Sequence, residues 1–262
     1  MKNIYSKVRL SPLFLFLIFL SFISGLFRDI ISLFLIIIIH EMGHVIMSLI
    51  FKWNINKIDI TMYGGYITYN ENIDKPFIEE FLISISGILM QSIFFFLLYL
   101  LNKACIVDIN TLLIIRKYHY SVLLFNLIPV VPLDGAKVLN VILNNYFSYK
   151  KSLDITNYIS ILFVVLLLSS FIILKYKVEF SYLVILSFII SSIIKNIIDS
   201  PFLFNKFLFE RYKNPTHYVP YYIKNGHIKE MRRQRKNYFY IDNRYTDETI
   251  ILKERFNKKT WR

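Results

Sequence analysis

The chain has 262 residues, of which 55% are hydrophobic, 17% aromatic and only 19% charged. A soluble domain carries roughly 45–50% apolar and about 25% charged residues; here the apolar residues form long blocks, which excludes an ordinary soluble fold. The single cysteine, Cys105, excludes an intrachain disulfide and a cysteine zinc cluster, and the net charge of +13 gathers at one end, with 15 Lys/Arg against 6 Asp/Glu from Pro201 onward.

About 20 apolar helical residues cross a bilayer core of roughly 30 Å. Six stretches reach or approach that length, at residues 10–27, 30–51, 81–101, 118–133, 155–174 and 180–198. Lys2, Lys7 and Arg9 precede the first, but no small-residue cleavage site follows it and further apolar segments do, so it reads as a retained span. Only Arg28 and Asp29 separate the first two spans, which makes them a tight hairpin. The fourth is short and holds Pro129 and Pro132, and Lys195 interrupts the sixth. Between the second and third spans, residues 53–76 are polar. There Ile58, Ile60 and Met62 alternate ahead of Gly64-Gly65 and Tyr66-Ile-Thr-Tyr69, a pattern that predicts a small membrane-associated β-hairpin.

The expected fold is therefore an all-α polytopic membrane protein of about six transmembrane helices, residues 1–200, followed by a basic cytoplasmic extension, residues 201–262. With the N-terminus inside, the inner segments carry nine Lys/Arg before the tail is counted and the outer segments six. The positive-inside rule then places both termini in the cytoplasm. His119, at the edge of the fourth span, reads as an interfacial residue, and His217 and His227 as water-facing. The cluster Arg232-Arg233-Gln-Arg235-Lys236, just past the last span, presents positive charge suited to anionic lipid headgroups. Nucleic acid is not an expected partner.

The segment that carries chemistry is His40-Glu41-Met42-Gly43-His44, inside the second span. Histidines at i and i+4 stand above one another on a helix, where both imidazoles can grip one zinc ion, and the glutamate between them is placed to take a proton from a metal-bound water. Three titratable groups at membrane depth are costly and mark a functional site. A hydrolytic zinc site needs three protein ligands and an open position. The best third ligand is Asp134, in Asn126-Leu-Ile-Pro129-Val-Val-Pro132-Leu-Asp134-Gly135, where prolines break the backbone; such breaks at membrane depth occur where they are buried in protein or line a wet cavity.

These two motifs, in this order, resemble the site-2 protease family of intramembrane zinc metalloproteases, and within it the stage IV sporulation protein FB group. The resemblance covers roughly residues 1–200 and the short Phe-Leu-Phe-Glu210-Arg211-Tyr212 beyond them. It implies one Zn2+ per chain held by His40, His44 and Asp134, between the second and fourth spans, with Glu41 as the catalytic base. It implies a second catalytic role for Asn126, as a donor to substrate or oxyanion. Gly64 and Gly65 match the family's glycine pair, where a strand edge would receive an unwound substrate, and Pro132 is placed with them as substrate-binding. The implied substrate is a membrane-associated precursor, an inactive pro-sigma factor of the sigma-K type cut during sporulation, with membrane inhibitor proteins as further partners.

Asp134-Gly135-Ala136 stands where the family shows Asp-Gly-Gly, and Ser86-Gly87-Ile88, followed by Gln91, where it often has Ala-Gly-Pro. Residues 53–76 are too few for a PDZ domain. The 62-residue tail is about half what a CBS pair needs, so at most a partial CBS-like region, and no nucleotide control, is expected. The alternatives are a general site-2 protease with other membrane substrates, or a non-catalytic membrane metal-binding or transport protein. A transporter would spread polar residues through several spans; here they gather at one site.

Overall fold

The computed structural model describes residues 8–25, 27–61, 64–71, 73–173, 180–215, 218–224, 226–241 and 243–257. Lys2, Lys7, Met62 and His217, named above, lie outside them. The elements in order are β1 (Val8–Leu10), α1 (Pro12–Ile23), α2 (Phe27–Ile50), β2 (Ile55–Thr61), β3 (Gly64–Tyr69), α3 (Phe77–Lys103), α4 (Ile109–Leu127), α5 (Asp134–Tyr146), α6 (Tyr149–Ile173), α7 (Phe180–Lys213), β4 (Pro220–Ile223), β5 (Lys236–Ile241), β6 (Arg244–Asp247) and α8 (Glu248–Asn257). Among the described residues four helices are long and apolar enough to cross a membrane: α2, α3, and the stretches Tyr149–Ser170 of α6 and Tyr182–Lys213 of α7. Their outer faces leave Leu35, Ile46, Phe96, Leu100, Leu162 and Leu183 exposed. Water does not tolerate apolar area on that scale, whereas lipid does.

Two expected spans differ. α1 has 12 residues, about 18 Å of helix at 1.5 Å per residue, and Leu10 lies in β1 instead of the first span. The fourth begins earlier, takes in Arg116 and Lys117, and stops at Leu127. A proline disfavours helical backbone in the residue before it, and Ile128, which precedes Pro129, is extended at φ −63°, ψ 129°. Asp134 consequently opens a new helix, α5, and does not close the fourth span.

The chain forms two compact units, one of residues up to Glu71 together with Phe81–Ile128, the other of Asn72–Glu80 together with Pro129 onward. In the first, Phe34 and Ile37 of α2 pack with Ile18 of α1 and Val122 of α4, and Tyr118 Oη donates to Asp29 Oδ1 at 2.6 Å. α2 ends in a Schellman closure, with Lys52 at φ +56°, Trp53 N–H bonded to Ser48 O at 2.8 Å and Lys52 N–H to Leu49 O at 3.0 Å. The expected hairpin is present as β2 and β3, antiparallel with Ile60 opposite Gly65 and Thr61 opposite Gly64. It belongs to a three-stranded sheet, because β1 adds to β2 in parallel, so β3 is an edge strand.

In the second unit, a polar row on α6 (Ser152, Thr156, Asn157 and Ser160, all buried) faces α5, α7 and the proline segment. Asn157 Oδ1 accepts from Asn196 Nδ2 at 2.7 Å, Thr156 Oγ1 from Asn140 Nδ2 at 3.1 Å, and Ser160 Oγ from Val131 N at 3.1 Å. Small and hydroxylated residues serve helix contacts where the hydrophobic effect is weak. α7 runs on through Pro201, past the position where the sequence reading divides membrane part from tail. The tail contains more β structure than an all-α reading allows: β4, β5 and β6 form a three-stranded sheet, β4 parallel and β6 antiparallel to β5. Its Ile223, Met231, Phe239 and Leu252 are buried with Tyr149 and Leu153 of α6 and Phe204, Phe207 and Leu208 of α7. Of the basic cluster expected to face lipid, Arg233 is buried against Glu80 and Lys236 pairs with Asp247 at 2.8 Å, so neither is a freely presented charge. His119, expected at an exposed edge, is buried. It is 3% exposed within α4, its ring stacked on Phe95 at 4.6 Å.

Candidate active site

The helical run through α2 places His40 and His44 one turn apart, at 2% and 5% exposure. Their Nε2 atoms are 3.2 Å from each other and their Nδ1 atoms point away. His44 Nδ1 lies 2.6 Å from the carbonyl oxygen of Ile83, and His40 Nδ1 lies 3.2 Å from Gln91 Oε1, both on α3. A carbonyl only accepts, so His44 Nδ1 carries the proton and its Nε2 carries the lone pair. Gln91 Oε1 sets His40 the same way. Two lone pairs facing each other at 3.2 Å in a buried site repel unless positive charge lies with them. Imidazole nitrogens, each fixed by a partner on its far nitrogen, are the donor set that zinc takes. The two residues fit a metal ion on this geometry.

α3 comes close enough to do this because of two glycines. At Gly43 a Cβ would meet Met90 Cβ at 2.8 Å and the Ser86 carbonyl closer still. At Gly87 a Cβ would stand 2.5 Å from His44 Nε2 and 2.6 Å from His40 Nε2, so the missing side chain is the space in front of both ligand atoms. Ser86 Oγ donates to Ile83 O at 2.7 Å, bracing the carbonyl that holds His44.

Glu41, half-buried on the next position of α2, accepts from the backbone N–H of Gly65 at 3.1 Å. A Cβ at Gly65 would run into the Glu41 carboxylate, so glycine is required where β3 meets α2. The far end of β3 is tied to the same helix, Tyr69 Oη and Ser48 Oγ standing 3.0 Å apart while Ser48 Oγ donates to His44 O at 2.6 Å.

The first unit thus brings His40, Glu41, His44 and Gly65 together. Asn126, also in that unit, is half-buried in the last turn of α4, and its Nδ2 donates to Val122 O of the same helix at 3.0 Å. In the second unit Asp134 is 3% exposed at the start of α5, and its Oδ1 accepts from Lys137 Nζ at 2.8 Å. Pro132, two residues before it, follows a cis peptide bond. Sequence reasoning assigned no role to Gln91, Gly87, Ser86 or the Ile83 carbonyl. The available signal was the small and polar set Ser84, Ser86, Gly87 and Gln91 inside an otherwise apolar helix, since polar groups at membrane depth are functional by default.

A model of peptidase family M50 matches residues 29–107, which hold the histidine pair, Glu41, Gly65, Gly87 and Gln91 and stop short of Asn126 and Asp134. Stage IV sporulation protein FB of Bacillus subtilis (strain 168) is 27% identical over 206 residues, covering 79% of this chain and 71% of that protein. A zinc metalloprotease of Methanocaldococcus jannaschii is 31% identical over 128 residues, 48% of this chain and 37% of the relative. The fold is similar to that of the solved site-2 protease from Methanocaldococcus jannaschii, with a TM-score of 0.57 and 24% identity over 75% of this chain and 93% of that one. Residues 29–107 thus match peptidase family M50, and with these homologues the comparisons support an intramembrane metalloprotease.

Proposed function

We propose that His40, His44 and Asp134 hold one zinc ion per chain and that the enzyme cuts a membrane-associated precursor. The observation that carries this reading is the pair of imidazole Nε2 atoms facing each other across 3.2 Å, with a carboxylate on the adjoining residue. Bound there, zinc would supply a Lewis acid and lower the pKa of a coordinated water to about 7. Glu41 takes the proton of the attacking water and returns it to the leaving amine. Gly65 N–H holds the carboxylate in place for that exchange, in a manner open to both steps because one hydrogen bond leaves the second oxygen for water. Asn126 would turn its amide from Val122 O to donate to substrate or oxyanion. A peptide bond inside a helix is shielded, so the substrate must unwind first. The edge strand β3, anchored beside Glu41, offers it backbone hydrogen bonds as an added strand, with Gly64, Gly65 and Pro132 in contact.

In this reading α1 and α4 join the four long helices within the membrane, both termini are cytoplasmic, and the resemblance to the sporulation group makes the substrate an inactive sigma-factor precursor. Co-expression of such a precursor with the wild type and with Glu41→Gln tests it. The wild type should release the mature factor, and the variant should do so about 10²–10⁴-fold more slowly, the span of a lost general base. Equal processing by both would remove Glu41 from the mechanism. No processing by the wild type, alongside cleavage of another membrane-anchored protein, would leave the enzyme and replace the substrate.

A further inference from the structure

Residues 73–80 connect β3, which holds Glu41, to α3, which holds both histidines, and the tail grips them almost residue by residue. Ile73 N–H donates to Glu210 Oε2 at 2.7 Å. Asp74 Oδ2 pairs with Arg211 Nε at 3.2 Å, Asp74 Oδ1 accepts from Gln234 N at 2.9 Å, and Asp74 O accepts from Tyr218 Oη at 3.4 Å. The carbonyl of Lys75 accepts from Gln234 Nε2 at 2.6 Å and from Arg233 Nη2 at 3.3 Å. Glu80, in the first turn of α3, takes the Arg233 guanidinium in a two-pronged pair, Nη1 to Oε2 at 3.0 Å and Nη2 to Oε1. Arg233 is 4% exposed, with the rings of Phe77 at 5.3 Å and Tyr149 at 5.7 Å.

The turn that delivers these contacts, residues 232–235, is itself built to hold one shape. Gln234 is left-handed at φ +52°, a conformation most side chains resist and one that persists only where the surroundings impose it. Arg211 Nη2 donates to the carbonyls of Arg232 at 3.2 Å and Arg235 at 2.5 Å, and Asn237 Oδ1 accepts from Arg232 N at 3.0 Å. The apolar core around Met231, Phe239 and Leu252 already secures the tail to α6 and α7. A buried ion pair adds little net stability over that, because desolvation offsets its attraction; what it adds is a fixed position.

We propose that the tail is a clamp on this connector, and that Arg233 and Glu80 are positioning residues for the histidine pair. The inference rests on reading His40 and His44 as zinc ligands. Ile83, whose carbonyl orients His44, is one helical turn past Glu80, and Gln91, which orients His40, is two turns further along the same helix. A slip of α3 by one residue moves those acceptors about 1.5 Å, enough to break a 2.6 Å hydrogen bond. Misplacements of about 1 Å in a catalytic array cost on the order of a hundredfold in rate.

The test uses the full chain in proteoliposomes, with zinc affinity read by competition with a chromophoric chelator and cleavage of a membrane-anchored reporter read as kcat and KM. Arg233→Met should weaken zinc binding and lower kcat by about tenfold each with KM little changed. The double variant Glu80→Met, Arg233→Met exchanges the buried pair for apolar side chains. It should regain the wild-type melting temperature while zinc affinity and kcat stay low. Recovery of affinity and kcat together with the melting temperature would reduce the pair to a stability role and overturn the clamp, as would wild-type zinc affinity in Arg233→Met. Glu80→Gln, which keeps the side-chain shape, decides the matter if the Met variants do not accumulate: weakened zinc binding below its melting transition supports the clamp, and unchanged binding overturns it. A wild type that binds no zinc would overturn the site reading itself and is thereby told apart from failure of the clamp.

Discussion

Two of the buried polar clusters in this chain are arranged in opposite senses. In the tail, Arg211, Asn237 and Glu248 interlock donor to acceptor, with Asn237 giving Glu248 Oε2 both its backbone and its side-chain N–H at 3.0 and 2.7 Å. In α2, His40 and His44 turn acceptor toward acceptor, while their donors are taken up behind them by α3. The first arrangement sets charge against countercharge within the protein. The second becomes favourable with a cation, and that difference separates a structural network from a metal site even though both are buried and titratable.

The comparison predicts that changes in front of the histidines act on metal and changes in the tail core act on folding. Gly87→Val should have the largest effect. It puts side-chain carbon where the two Nε2 atoms point, and zinc binding and cleavage should both fall below detection while the protein still inserts in the membrane. Gln91→Leu removes only the partner of His40 Nδ1 and should weaken zinc binding by about 10–100-fold, the usual scale for such outer partners. Zinc binding unchanged in Gln91→Leu would mean that the imidazole is held by packing alone. Phe239→Ala empties a fully buried position in the tail and should cost about 3–5 kcal/mol of tail stability in thermal unfolding. Below its transition that variant should keep zinc affinity within about threefold of wild type, since the contacts to residues 73–80 persist.

The smallest effect is a pH dependence. Burial pushes the Asp247 carboxyl up, but the Lys236 ammonium and the Thr249 N–H, each at 2.8 Å, outweigh it and leave the group below its ordinary value. A depressed carboxylate contributes stability above the unfolded value, about 3.9, and loses it as pH falls through the folded one. Neighbouring Glu248 is pushed up by burial and works in the other direction. The difference in melting temperature between wild type and Asp247→Asn isolates the former, and it should be present at neutral pH and fall away progressively as the pH drops below about 4.

What was legible in the sequence follows the range of the forces involved. α2 and α3 announced themselves through apolar length, and the histidine pair through a local spacing of four. The stop at Leu127 was written in Pro129, yet apolar content alone carried the expected span past it to residue 133. His119 stood at the edge of the expected span; with α4 beginning at Ile109 it falls within the helix, buried against Phe95. The non-local features were not legible. β1 pairs with a strand some fifty residues away, and Arg233 finds Glu80 across 153 positions. A basic, tyrosine-rich stretch reads as solvated surface until its partners are known. Gln91 was visible as a polar residue in an apolar helix, but which imidazole it faces depends on how α3 meets α2 at Gly43 and Gly87.

The central claim is that the facing imidazoles are a metal site serving Glu41. Metal analysis of the purified chain tests it most directly, comparing wild type, His44→Ala and Glu41→Gln after dialysis against a weak chelator. The account predicts one zinc per chain in the wild type and in Glu41→Gln, with cleavage lost in the latter, and none in His44→Ala. Zinc retained at the wild-type level in His44→Ala would contradict it.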